Sequence, residues 1–162
     1  MITMLRYVCL ILLMTAGAER ASAQLGTGTN CSVSATPIQF LSYNVFELLP
    51  NDGISTVTVT CTGLANLGVS YDLQLGPGSS GDIYARHMTS GTTSDELSYQ
   101  VYTNIGRTTV WGNGAQGSTI SGSLIVQIIA TSRIHTVYTR LPSEQVVTSG
   151  TYSDAPIMTI VF

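Results

Sequence analysis

The sequence predicts an all-β sandwich, and three observations carry that prediction. From Gln24 onward, apolar residues recur at every second position, the spacing of strands with one buried face, and no stretch shows a convincing helical period. Clusters of Gly, Pro, Asn, Asp and Ser interrupt these runs at short intervals. Only 9% of the 162 residues are charged while 44% are hydrophobic, against roughly 25% charged in an ordinary soluble domain. A disordered chain would be short of apolar residues, so the low charge suits a β-rich exported protein.

Each strand can be argued in turn. "STVTVTCT" (Ser55 to Thr62) sets Val57, Val59 and Cys61 against Thr56, Thr58 and Thr60. "VSYDLQLG" (Val69 to Gly76) places Val69, Tyr71, Leu73 and Leu75 on one face, and "LSYQVYT" (Leu97 to Thr103) does the same with Leu97, Tyr99 and Val101. "GSLIVQIIA" (Gly122 to Ala130) is continuously apolar, which predicts a strand buried on both sides. In "RIHTVYTRL" (Arg133 to Leu141), Ile134 is out of step with Val137, which predicts a bulge or two short strands. "PIMTIVF" (Pro156 to Phe162) is the last strand. The turns between them are "PNDG", "GPGSSGD", "SGTTSDE", "GNGAQG" and "SGTYSD". No linker divides the run, so residues 24–162 are expected to form a single domain.

The first 23 residues read as a secretory leader that is removed. Arg6 is its positive end, Tyr7 to Ala18 its apolar run, and Ala21-Ser22-Ala23 its small-x-small cleavage signal. Ala16 to Ala18 form a second possible signal, which would start the mature chain at Glu19. The apolar run is shorter than the roughly 20 residues of a bilayer span, so no membrane span is expected in the mature form. Removing the leader also removes Cys9 and leaves Cys31 and Cys61, an even pair in an oxidising compartment and hence a predicted disulfide.

Charge and motif then narrow the function. There is no lysine and the net charge is −3, which excludes the basic footprint of a nucleic-acid binder. His87 and His135 lie far apart and no Cys-x-x-Cys or His-x-x-x-His spacing occurs, so no metal and no cofactor is expected. No Gly-x-Ser-x-Gly is present, and the adjacent Asp95 and Glu96 are not spaced to act as a carboxylate pair on one bond. His87 reads as a loop histidine and His135 as a partly exposed sheet histidine. Tyr99, Tyr102 and Trp111 would suit a sugar-stacking face, but Tyr99 and Tyr102 have opposite strand parity, which favours core packing. No catalytic residue is therefore assigned.

Four segments are nonetheless distinctive: "CSVSATPIQF" (Cys31 to Phe40), "STVTVTCT", "YQVYTNIGRTTVWG" (Tyr99 to Gly112) and "SGTYSDAPIMTIVF" (Ser149 to Phe162). Their order and spacing resemble the spore coat protein U domain family, which includes the pilin subunits of archaic (Csu-type) chaperone–usher pili. The scaffold signature is carried here by Tyr99, Tyr102, Arg107, Trp111, Tyr152 and Asp154, with Asn104 standing where an acidic residue is usual. Arg107 is expected to orient the "NIGR" turn and Trp111 to anchor it.

The resemblance implies an immunoglobulin-like sandwich that lacks its final strand. The open position would be filled by donor-strand complementation, first from a periplasmic chaperone and then from a neighbouring pilin subunit, with an outer-membrane usher as a further partner. On that reading Met158, Ile160 and Phe162, which share one parity, line the acceptor groove, and Ile38 and Phe40 line its opposite edge. The chain is then an exported structural subunit of a pilus or surface coat. The stretch before Cys31, "QLGTGTN", has one sizeable apolar residue and is poorly equipped to donate a strand, which points to a fibre end and a role in adhesion. The alternative is a secreted, non-polymerising sandwich that binds carbohydrate or another surface.

Overall fold

The computed structural model describes residues 21–25, 29–40, 42–63 and 67–162. Most of the expected leader lies outside the described residues, but Ala21–Leu25 form a first strand, β1. The remaining strands follow as β2 (Thr29–Ala35), β3 (Asn51–Gly63), β4 (Leu67–Leu75), β5 (His87–Ser90), β6 (Glu96–Ser98), β7 (Gln100–Tyr102), β8 (Ile120–Val126), β9 (Thr131–Leu141), β10 (Tyr152–Ser153) and β11 (Met158–Val161). Short 3-10 turns at Gly78–Ser80 and Ile83–Ala85 are the only helical elements among the described residues. No helix there is long and apolar enough to cross a membrane.

One sheet has the order β1-β2-β3-β9-β7 and a second β11-β4-β8, with a small third sheet β10-β5-β6 at the side. All ladders between these strands are antiparallel. The core fills the space between the first two sheets and follows the period-2 pattern. Val57, Val59 and Cys61 of β3 are buried against Val69, Tyr71, Leu73 and Leu75 of β4, with Leu124, Val126, Val137 and Leu141 closing the layer. Cys31 and Cys61 are register partners on β2 and β3 and are joined as a disulfide, as the sequence predicts.

Three expectations are corrected. The run Leu97 to Thr103 is two strands in different sheets, β6 and β7, with Tyr99 between them. Its alternation nonetheless holds, because Leu97, Tyr99 and Val101 are all buried. Gly122 to Ala130 is not buried on both sides. β8 ends at Val126, and Ile125, Ile128 and Ile129 are exposed, because β8 is an edge strand whose outer face no layer covers. β9 runs without a bulge in unbroken register with β3, and Ile134 simply lies on the outer face.

Candidate functional site

The last strand, β11, has one edge without a ladder partner among the described residues. Its other edge pairs with β4 through Met158↔Leu75 to Val161↔Asp72. Beyond the edge without a partner runs β1, with Cα positions within 8 Å of β11. Ile160 is buried and Met158 half-buried against the core, while Ile157 and Val161 face outward. Phe162 shares the parity of Met158 and Ile160 but lies beyond the end of β11, is 39% exposed, and turns to a separate surface. Ile38 and Phe40 belong to an extended segment after β2 rather than to a strand. Phe40 is fully buried with its ring 6.4 Å from that of Tyr99, and Ile38 packs half-buried on the core.

A polar latch fixes the approach to β11. The buried Tyr99 hydroxyl donates to Asp154 Oδ2 at 2.6 Å, and the backbone N–H groups of Ser79 and Ala155 donate to Asp154 Oδ1 at 2.8 Å each. Burial, reinforced by the hydrogen bond to this carboxylate, pushes the Tyr99 phenol far above its ordinary value, so it remains the donor. Gly78 sits at φ 72°, and a Cβ there would land on the Asp154 carboxylate. Tyr152 donates from its hydroxyl to the Thr148 carbonyl at 2.7 Å, and Gly76 N–H to the Ile157 carbonyl at 2.8 Å. Together these set where β11 begins.

The segment Tyr99 to Gly112 is tied into the sandwich at both its turn and its tryptophan. Arg107 closes the turn, its N–H bonded to the Asn104 carbonyl at 3.0 Å and its φ at 52°. Its guanidinium donates to the Thr139 and Gly53 carbonyls, lies 3.3 Å from Asp52 Oδ2 and stacks 5.9 Å over the Tyr138 ring. The buried Trp111 donates from Nε1 to the Leu73 carbonyl at 3.0 Å, tying the turn to β4. Tyr102 is half-buried on β7, opposite Tyr138.

Sequence reasoning missed Arg86, which is 1% exposed. Its Nη1 donates to Gln100 Oε1 at 2.6 Å, and its Nε and Nη2 donate to the carbonyls of Leu75, Gly76 and Trp111. Gln100 in turn donates to the Ile83 carbonyl at 2.9 Å. Burial lowers the Arg86 pKa, and the nearby Tyr99 and Asp154 act in the opposite sense. The one hint in the sequence was an arginine in a chain with only six basic residues; its partners are too distant along the chain for any local pattern.

Every buried side-chain N and O among the described residues has a hydrogen-bond partner, and no three His, Cys, Asp or Glu side chains there converge to hold a metal. His87, at the start of β5 rather than in a loop, lies 3.4 Å from Glu96. His135 is held by the Tyr71 hydroxyl at 2.8 Å. One open cleft of about 580 Å³ lies on the outer surface, lined by Asp72, Ser121, Arg133, Val161 and Phe162 among others.

An immunoglobulin-like β-sandwich, knit by buried polar contacts and open along its last strand, is the class of protein these features define. A family model for the Spore Coat Protein U domain matches residues 19–159, and the chain belongs to that family. Protein U of Myxococcus xanthus is 32% identical over 114 residues, 68% of this chain, and the chain spans 60% of its length. The fold is also that of a chain in the crystal structure of the CsuC–CsuE chaperone–tip adhesion subunit pre-assembly complex, from archaic chaperone–usher Csu pili of Acinetobacter baumannii. That likeness has a TM-score of 0.55 at 21% identity and covers 83% of this chain and 40% of the other.

Proposed function

We propose that this protein is an exported structural subunit of a chaperone–usher type pilus or surface coat, and not an enzyme. It accepts a donor β-strand along the free edge of β11. The carrying observation is that edge: among the described residues, a strand with no ladder partner on one side and with Ile160 and Met158 packed inward beneath it. An uncovered edge over apolar residues is an aggregation hazard, and strand addition relieves it through ladder hydrogen bonds and filled pockets. The subunit would meet a periplasmic chaperone first and an outer-membrane usher and other pilin subunits later. Ile38 and Phe40 support the far side of this groove, and Phe162, beyond the strand, contributes least. The leader directs the chain through the periplasm to the surface, and cleavage after Ala18 would keep β1 within the mature domain. Ile125, Ile128 and Ile129, exposed together along the end of β8 and the connection to β9, support an adhesive contact at a fibre end.

Co-expression with a pilus chaperone tests the reading. Ile160→Asp should abolish co-purification, whereas Ile157→Asp, at a position 76% exposed, should leave it intact. Undiminished capture by Ile160→Asp would sink the groove assignment.

One observation favours the second reading, a secreted sandwich that binds carbohydrate: the cleft where Phe162 offers an aromatic face beside Asp72, Ser121 and Arg133. Retention of the isolated domain on immobilised glycans, lost in Phe162→Ala, would support it over strand acceptance.

A further inference from the structure

We propose that the open cleft on the outer surface selects a carboxylated sugar. Arg133 takes the carboxylate, Phe162 offers its ring to the face of the sugar, and Asp72 with Ser121 takes the hydroxyls. This rests on the second reading above, in which the cleft holds a glycan, and it names the class of glycan.

The second sheet supplies most of the cleft, and β9 of the first sheet closes one end. Val161, Asp72 and Ser121 are register partners across β11, β4 and β8, a row roughly 10 Å wide at ordinary strand spacing. Two residues further along, Ser70 and Ser123 are partners on the same face. Phe162 follows Val161 at one end of the row and is 39% exposed. At the other end Arg133 reaches β8, its Nη1 donating to the Ser123 carbonyl at 3.4 Å. All seven residues line the same volume of about 580 Å³. A contact between the sheets steadies the β9 end. Tyr71 packs against Gly122, where a Cβ would lie 2.5 Å from its ring, and its hydroxyl meets His135 Nε2 at 2.8 Å. That bond fixes the stretch of β9 that carries Arg133.

Arg133 is a cation with no carboxylate beside it among the described residues. Arg86 is buried against carbonyls, and Arg107 and Arg140 share Asp52. Arg133 is exposed, forms no ion pair there, and has only the long bond to Ser123. Its guanidinium presents five N–H donors in a planar fork that matches a carboxylate, so most of that fork is open to a ligand. Its charge also reaches its neighbours. After burial, Arg133 is the second cause holding the His135 pKa down, and it opposes the upward push of burial on Tyr71. Asp72 gives the cleft a direction. Its Oδ1 accepts from the Ser121 hydroxyl at 2.5 Å, and Oδ2 can accept from a sugar hydroxyl while repelling an anion. A ligand carboxylate therefore belongs at the β9 end and ring hydroxyls over β4, with the Phe162 ring against the apolar face of the sugar. The net charge of −3 gives no general attraction for anions, so any preference for the acid has to come from Arg133.

The test uses the full chain expressed with its own leader and recovered as the exported product. The probes are trigalacturonic acid and its methyl ester, which keeps the ring hydroxyls and removes the charge, and the readout is affinity by titration calorimetry. The acid should bind about tenfold tighter than the ester, the equivalent of about 1.4 kcal/mol. Arg133→Gln should remove that preference, and Phe162→Ala should weaken binding of both ligands. Equal affinity for acid and ester in the unmodified protein, or a preference that survives Arg133→Gln, would overturn carboxylate selection. A glycan site in the cleft would then still stand, provided Phe162→Ala weakens binding. Binding of neither ligand, or binding that Phe162→Ala leaves unchanged, would overturn the glycan reading of the cleft and this proposal with it. Strand acceptance is read separately, by chaperone co-purification, and does not depend on either result.

Discussion

Arg86 shows how a single residue can organise several strands without touching a ligand. It holds the end of β4, the Trp111 carbonyl and Gln100 at one point, through five hydrogen bonds to four acceptor groups. Arg86→Met would keep the packing volume but leave Gln100 Oε1 and buried carbonyls without donors. Charge-assisted bonds contribute roughly 1.5–3 kcal/mol each, and unpartnered buried groups carry their own penalty, so the loss should be at least about 3 kcal/mol by urea unfolding. His135 gives the residue scale a pH signature. Burial first, and then Arg133, hold its pKa below 6.5, so the folded state prefers the neutral ring. That contribution is complete above the unfolded pKa and is lost as pH falls through the lower folded value. The thermal midpoint should therefore fall between about pH 7 and pH 5, and His135→Gln, which still reaches the Tyr71 hydroxyl, should flatten that slope. Neither residue's role was readable in the sequence. Arg86 acquires its partners only when β4, β7 and the turn at Trp111 converge, whereas the exposure of His135 followed from strand parity alone.

At the scale of elements, what the sequence carried was alternation, and alternation survived even where strand boundaries did not. Leu97, Tyr99 and Val101 all point inward although the segment divides between two sheets, because parity is local and sheet membership is not. The failure at β8 has the same origin. Ile125 lies on a face that would be buried only if another layer covered it, and the number of layers is a property of the whole fold. The Met158/Ile160 parity was legible, but Phe162 was not, because the strand stops one residue earlier. The β4–β8 pair offers a sharp test of such register. Tyr71 and Gly122 are cross-strand partners, and a Cβ on Gly122 would lie 2.5 Å from the Tyr71 ring. Gly122→Ala should therefore cost roughly 1–3 kcal/mol, as overpacking does. In a Tyr71→Ala background the same change should cost almost nothing, and the difference measured in a double-mutant cycle isolates the clash.

At the scale of the molecule, the first sheet and β11 meet along a seam that no ladder bridges among the described residues, and the disulfide sits beside that seam. Cys31 lies on β2, the strand that borders it, and is tied to β3 by Cys61 at a sequence separation of 30. A loop of this length stabilises a fold by roughly 3–4 kcal/mol in the chain-entropy account. Its position adds a functional consequence. The opposite wall of the seam, β11, is anchored separately by the Tyr99–Asp154 latch and by its ladder to β4. Among the described residues β2 is laddered to β1 and to β3, and the disulfide is its covalent tie to β3. Replacing both cysteines by serine should therefore lower unfolding stability by that amount. It should also weaken capture of an added strand beyond what lost stability explains, because the bordering wall is then free to move. The measurement is peptide capture well below the unfolding midpoint, compared with Arg86→Met, which is destabilised similarly but keeps β2 tied. Equal capture by the two variants would show that the disulfide acts on global stability alone.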